Sequence, residues 1–352
     1  MQRELNSTIV VTYIFTDKKE KSQIGESVSV KFYKHLNMKR FLNIVLIVVL
    51  TLSTTYDILA QQDPQYTQYM YNTVAINPAY AGNRGVTSIV GLHRSQWVGL
   101  EGAPRTQSLS IHSPLGEGKV GLGLSLINDA LGPAEETYIG VDFSYTINTS
   151  DEGKLSFGLK GGGHILDVDF TKLNLFDPTD PRFSENIDNK FSPVIGAGLY
   201  YHTNKFYVGL SAPNLIETEH FGESNNDNAA SFVAEERIHY YGIMGYTFDI
   251  SESLKFKPST LVKAVSGAPL QVDITANFLV MEKLHLGAAY RWSAALSGLV
   301  GFQVSDSMLI GLAYDRESTD LGDQLYNDGS FEVFLRFELF NEYDRMLTPR
   351  FF

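Results

Sequence analysis

The stretch GSFEVFLRFELF, residues 329–340, alternates its side chains between two classes over almost its whole length. One set is entirely apolar: Phe331, Val333, Leu335, Phe337 and Leu339. The other set is mixed: Glu332, Phe334, Arg336, Glu338 and Phe340. Because successive side chains of a β-strand point to opposite faces, this period of two predicts a strand with one continuous apolar face. APLQVDITANFLV, residues 268–280, repeats the pattern.

About fourteen such segments follow one another along the chain, with boundary errors of a few residues. No segment has the period of a long amphipathic helix, so we predict an all-β fold. The predicted strands lie near residues 86–97, 106–114, 119–127, 137–147, 154–169, 193–202, 205–211, 237–249, 254–264, 268–280, 283–292, 296–304, 307–315 and 330–340.

The links between these strands alternate in length. Links such as LGEG, HTN and MEK are short, whereas NDALGPAEE, RESTDLGDQLYND and the links around residues 176–189 and 216–236 are long. Short periplasmic turns and longer extracellular loops are typical of an outer-membrane barrel. We therefore predict a transmembrane antiparallel β-barrel of about fourteen strands over residues 86–340, followed by a C-terminal tail over 341–352. A soluble β-sandwich or propeller is disfavoured, because it does not turn an apolar face outward on strand after strand.

Composition excludes several classes of protein. The chain has 352 residues, no cysteine and a formal net charge of −12. It therefore has no disulfide framework, no thiolate metal site and no cysteine for a lipoprotein anchor, and a basic surface for nucleic acid is not expected. The histidines lack metal-ligand spacing, and no GxGxxG follows a strand and opens a helix. We predict that the protein is not an enzyme and needs neither a cofactor nor a metal.

An apolar run near the N-terminus predicts export. MKRFLNIVLIVVLTLSTTYDILA, residues 38–60, has a basic start, an apolar centre over 41–52 and a small residue, Ala60, at a plausible cleavage point. This is the layout of a signal peptide, and the apolar centre is short for a membrane anchor, which is the alternative. Residues 1–37 resemble neither a signal nor a packed domain, so we interpret them as an unstructured or gene-model extension.

Six blocks of the exported part resemble one known family. They are QDPQYTQYMYNTVAINPAYAG (62–82), RSQWVGLEGAPRTQSLSIHSPL (94–115), GLGLSLINDALGP (121–133), GAPLQVDITANFLV (267–280), IGLAYD (310–315) and TPRFF (348–352). In this order they resemble the PorP/SprF family of the type IX secretion system in the Bacteroidetes. The sequence departs from the family pattern at Val74 and Ala75, where an aromatic residue or leucine is expected.

The resemblance implies an outer-membrane component of protein secretion. Such a protein aids export or surface attachment of a cognate secreted protein, for example a large adhesin with a C-terminal export domain. Its implied partners are that cargo, periplasmic and outer-membrane components of the secretion system, and membrane lipids. Periodicity alone leaves a passive porin-like channel for small solutes as the alternative.

Three groups of residues are candidates for the functional site. We expect the segment 61–85 to lie in the periplasm or to plug the barrel. Its contacts to a partner or to the barrel are expected from Tyr66, Tyr69, Tyr71, Asn77, Pro78, Tyr80 and Gly82. The alternative for its NPAYAG motif is a structural turn that leads into the first strand. A loop contributes Gln96, Trp97, Gly99 and Pro104, where Trp97 alternatively belongs to the girdle at the membrane interface. The barrel interior is expected to receive Asp142, Lys160, Asp273, Arg291, Arg336 and Glu338.

Overall fold

The computed structural model describes residues 64–116, 118–174, 185–219, 235–319, 322 and 326–339. The predicted extension over 1–37, the predicted signal peptide over 38–60 and the predicted tail over 341–352 lie outside the described residues. In the part that is described, no helix has the length and apolar character needed to cross a bilayer.

The described chain consists almost entirely of strands, as the alternating pattern predicted. A two-residue bridge pairs Thr218–Glu219 with Glu235–Glu236 apart from the main sheet. The strands of the main sheet are β1 (Thr87–Ser95), β2 (Arg105–Leu115), β3 (Val120–Leu131), β4 (Ala134–Asn148), β5 (Lys154–Val168), β6 (Ile187–His202), β7 (Phe206–Ala212), β8 (His239–Tyr246, continued by Phe248–Ser251), β9 (Leu254–Val265), β10 (Gln271–Val280), β11 (Leu284–Arg291), β12 (Ala295–Ser305), β13 (Met308–Glu317) and β14 (Ser330–Leu339).

These fourteen strands close into an antiparallel barrel, which confirms the predicted fold class. Each strand pairs with its neighbours in sequence, and β14 returns to β1 in a register that runs from Thr87 opposite Leu339 to Ser95 opposite Phe331. Strand β8 pairs with both β7 and β9, which completes the circle. Closure gives every strand two hydrogen-bonded neighbours, so no open sheet edge is left along the paired positions.

The alternation sorts polar side chains to the inside and apolar side chains to the outside. In β10, Asp273, Thr275 and Asn277 are buried in the interior, whereas Ile274 on the outer face is 56% exposed. The outer apolar face has no protein partner among the described residues, and it provides the lipid-facing band of a membrane barrel. The polarity is therefore reversed relative to that of a water-soluble protein.

The links follow the predicted rhythm with one exception. At one end, which we call the turn end, links such as 203–205 and 306–307 are short; at the other, the loop end, lie the longer links 96–104, 169–186, 213–238 and 318–329. The prediction of a long loop at NDALGPAEE is wrong, because β3 and β4 continue until only Gly132 and Pro133 separate them. Cross-strand bonds from Asn128 Nδ2 to Glu135 and Thr137 extend this polar hairpin, and Gly132 supplies the positive φ of +58° for the tight turn.

A charge on the outer face tests the lipid-facing band. Leu312 lies in the middle of β13 and is 52% exposed on the outside. We expect Leu312→Arg to lower the free energy of unfolding in lipid bilayers by about 2–4 kcal/mol, because an arginine near the bilayer midplane loses its hydration. The conservative variant Leu312→Met is the control and should unfold like the wild type. Equal stability of both variants would contradict a lipid-facing position.

Candidate functional site

The segment over residues 64–85 lies inside the barrel. It forms three short helical turns, Tyr69–Tyr71, Thr73–Ile76 and Pro78–Tyr80. Asn77 begins the last turn, since its side-chain oxygen accepts a hydrogen bond from Ala79 N at 3.0 Å and Pro78 occupies the first position. We call residues 64–85 the inner segment.

A charged cluster holds the inner segment near the loop end. Glu332 accepts hydrogen bonds from the backbone N–H groups of Thr67 (2.9 Å) and Gln68 (2.8 Å). Arg94 pairs with both Asp315 (2.7 Å) and Glu332 (3.2 Å), and all of these side chains are buried. Charge-assisted hydrogen bonds of this kind are about twice as strong as neutral ones. The cluster therefore fixes the start of the inner segment against β1, β13 and β14.

The middle of the inner segment is held by rings and amides. The ring of Tyr71 stacks on that of Phe334 with centroids 4.2 Å apart, and its hydroxyl lies 3.2 Å from His285 Nδ1. Asn72 contacts the hydroxyls of Ser108 and Ser110 on β2.

The inner segment ends near the turn end of the barrel. Arg84 pairs with Glu338 at 2.5 Å, and Gly82 N donates to His112 Nδ1 at 3.2 Å. Asn83 contacts Ser156 on β5 and His202 on β6. Contacts to strands on several sides of the barrel thus run from the loop end to the turn end, and we also refer to the inner segment as the plug.

Glycines on the wall provide the space for this plug. A Cβ atom at Gly158 would lie 2.0 Å from Ala79 N, and one at Gly121 would lie 2.1 Å from Ala81 O. A Cβ at Gly198 would lie 2.2 Å from the Asn77 side-chain oxygen. These inward positions on β3, β5 and β6 accept backbone of the inner segment where any larger residue has a clash.

The structure places all seven candidate residues of the inner segment within the barrel. The side chains of Tyr66, Tyr69, Tyr71, Asn77, Pro78 and Tyr80 are buried, and Gly82 packs against β2 and β3 with a φ of +71°. Their contacts are made to the wall of the same chain.

The interior charges are arranged in pairs. Lys160 lies 3.4 Å from Asp142, and Arg291 lies 3.0 Å from Asp273. Arg336 lies 3.4 Å from Glu338, which also holds Arg84. All six interior candidates are buried and face inward. Opposite charges in each pair offset the cost of removing them from water.

The loop 96–104 is fastened to the loop before β14. Val98 N donates to Gly329 O (2.9 Å), and Asp328 N donates to Val98 O (2.8 Å). Gly99 has a φ of +101° and passes so close to Tyr326 that a Cβ would lie 2.1 Å from its carbonyl oxygen. Gln96 N donates to Pro104 O across the base of the loop. We call residues 96–104 and 326–329 the clasped loops.

The Trp97 side chain is directed toward the barrel mouth. Its indole N–H donates to Glu317 at 3.3 Å, and its backbone N–H donates to the buried hydroxyl of Ser330. Glu317 ends β13 on the inward-facing side. The indole N–H thus points to an inward-facing carboxylate, whereas a girdle residue points toward lipid headgroups.

Sequence reasoning did not single out Arg94, Asp315 or Gly158. Alternation alone gives their direction, but it does not identify which inward residues meet the inner segment. Glycine at an inward-facing strand position is the sequence signal that could have located these contacts. A strand interior normally avoids glycine unless another backbone approaches closely.

Comparison with protein families covers most of the chain. The family model described as "Type IX secretion system membrane protein PorP/SprF" matches residues 58–337. The chain belongs to the PorP/SprF family. Comparison with curated proteins returned no match.

Solved outer-membrane proteins resemble this PorP/SprF protein only at low identity. Omp33 of Acinetobacter baumannii is 8% identical, with a TM-score of 0.43 over 72% of this chain and 99% of that chain. The toluene transporter TbuX of Ralstonia pickettii is 8% identical, with a TM-score of 0.45 over 74% of this chain and 91% of that chain. At these values the likeness carries no argument about function.

Family membership and the closed barrel identify an outer-membrane component of the type IX secretion system. The family is one of secretion-system membrane proteins and not of enzymes. Within the described ranges, no three histidine, aspartate or glutamate side chains are grouped so that they would hold a metal ion.

Two glycines of β5 give a matched test of the plug. In Gly158→Ala the new methyl meets the backbone of Ala79, whereas Gly161 has open space where a Cβ would lie. We expect Gly158→Ala to reduce the free energy of unfolding by about 1–3 kcal/mol through overpacking. Gly161→Ala should change it by less than about 0.5 kcal/mol. Urea unfolding in detergent micelles measures both, and a harmless Gly158→Ala would mean that the plug does not seat on β5.

Proposed function

We propose that this protein is a sealed outer-membrane scaffold of the type IX secretion system, which aids export or surface attachment of a cognate secreted protein. The cargo is a large protein, such as an adhesin, that carries a C-terminal export domain. The scaffold reaches the membrane after a signal peptide over residues 38–60 is removed near Ala60. Periplasmic and other outer-membrane components of the system are its remaining partners.

The plug is the observation that supports a scaffold. The inner segment bonds to β1 and β14 near one end of the barrel and to β5 and β6 near the other. Two cavities between the inner segment and the wall measure about 10 Å³ and about 80 Å³. Spaces of this size hold a few water molecules at most, so they do not give a path to solutes.

Cargo contact fits the clasped loops better than the inner segment. The inner segment is buried, whereas Tyr326 is 69% exposed at the loop end, beside the fastened backbone of Gly99. Loops of outer-membrane barrels lie outside the cell, where an exported protein arrives. A rigid loop with an exposed tyrosine loses little conformational entropy when a partner binds.

Conductance separates the scaffold from the porin-like channel. In planar lipid bilayers we expect the wild-type protein to show no stable open-pore current. Glu332→Ala should show openings, because Arg94 loses one partner and two buried N–H groups lose their acceptor, at a cost of about 1–3 kcal/mol each. Glu252→Ala at the exposed turn end is the control. Stable wild-type currents would favour the channel.

Secretion itself tests the cargo role. We expect deletion of the coding segment to remove one large protein with a C-terminal export domain from the cell-surface and medium proteomes. Complementation with the wild-type chain restores it. Loss of many such proteins would assign this chain to the core apparatus. Unchanged secretion with reduced uptake of a solute would refute the proposal.

A further inference from the structure

The outward face of β1–β4 interrupts the lipid-facing band with polar side chains. His93, Gln107, Asn128 and Thr137 stand directly opposite one another in the registers of these four strands. We call these four residues the polar row. All four point away from the barrel interior, and the Gln107 side chain makes no hydrogen bond to the described part of the chain.

In the registers of the neighbouring strands, the polar row continues into apolar positions on both sides. On one side it continues into Val333, and Phe331, one row closer to the loop end, is still 50% exposed. On the other side it continues through Ile165 to Phe191, which is 65% exposed. Asn128 bonds to Thr137 within the row, and His93 bonds to Ser95, so Gln107 is the member that has no hydrogen-bond partner in the described part of the chain. An amide that faces hydrocarbon without a partner is costly. A surface that covers the polar row and offers hydrogen bonds removes that cost.

Two opposite charges flank β3 at the loop end of the same face. Arg105 on β2 and Glu135 on β4 are both register partners of Ala130 on β3, which lies between them. Both side chains are exposed, and neither forms an ion pair with the described residues. Their arrangement on either side of one strand indicates what covers this face.

We propose that the outward face of β2–β4 is an interface between two copies of this chain, related by a two-fold axis along the membrane normal. Two copies in one membrane share the same orientation, so their two-fold axis must lie along the normal. Rotation about an axis beside β3 places β2 of one copy against β4 of the other. Arg105 of each copy then meets Glu135 of its partner copy, and two ion pairs form.

The rest of the face is self-complementary under the same rotation. Asn128 and Leu126 of β3 lie near the axis and meet their own equivalents. Gln107 on β2 of one copy contacts the β4 end of the polar row of the other copy. It can form hydrogen bonds there because an amide both donates and accepts. A groove of about 740 Å³ runs beside Leu109 over Gly91, while Ile139 projects on the opposite flank.

The absence of cysteine makes the interface directly testable by single-cysteine cross-linking. Leu126→Cys places one thiol beside the proposed axis, and Leu286→Cys places one on the far strand β11 with nearly equal exposure, 41% against 42%. In native membranes treated with a short bismaleimide, we expect Leu126→Cys to give a band at twice the monomer mass and Leu286→Cys to give none. Equal cross-linking of both variants, or a Leu126→Cys product with a different protein, would overturn the proposal.

Charge reversal tests the ion pairs in the Leu126→Cys background. We expect Arg105→Glu and Glu135→Arg to reduce the dimer band at least five-fold each, because like charges then face each other. The double variant Arg105→Glu/Glu135→Arg should restore the band. Heat-modifiable mobility on gels verifies that every variant is folded. Failure of the double variant to restore the band, with folding intact, would overturn the pairing and leave Arg105 as a contact for lipid phosphates.

Discussion

Backbone hydrogen bonding in the bilayer is the constraint on which the whole structure depends. Hydrocarbon offers no partner to an N–H or C=O group, so a membrane-spanning sheet must satisfy all of them within the protein. Closure of β14 onto β1 and of β8 onto β9 meets this requirement. Once the sheet is closed, each strand has one face to lipid and one to the interior, and the reversed polarity of the molecule follows.

The interior of a fourteen-stranded barrel is too wide for side chains of the wall alone to fill. The inner segment solves this problem with backbone as well as side chains, and inward glycines such as Gly158 let that backbone approach. The buried charge of Arg94 is tolerated because Asp315 and Glu332 lie within reach. A filled interior is what supports the proposed scaffold over the porin-like channel.

Those surfaces differ in what they offer a partner. At the loop end, the clasped loops are held by backbone hydrogen bonds and expose a tyrosine, which suits binding of the proposed secreted protein. The outward face of β2–β4 offers polar groups beside apolar ones, which suit the second copy proposed above. Both features support the two proposals made above, and the chain belongs to a family of secretion-system membrane proteins.

The sequence by itself determined the strands, their number and the direction of each side chain, because a period of two is a local property that any strand expresses. It also placed Asp273 and Arg336 inside the barrel, since each alternates with apolar neighbours. Only the tertiary structure decided that Glu332 holds Thr67 and Gln68, that Trp97 turns inward to Glu317, and that Gly132 and Pro133 form a tight turn. Those outcomes depend on register, closure and the path of the inner segment, which bring together residues far apart in the chain and leave no local pattern.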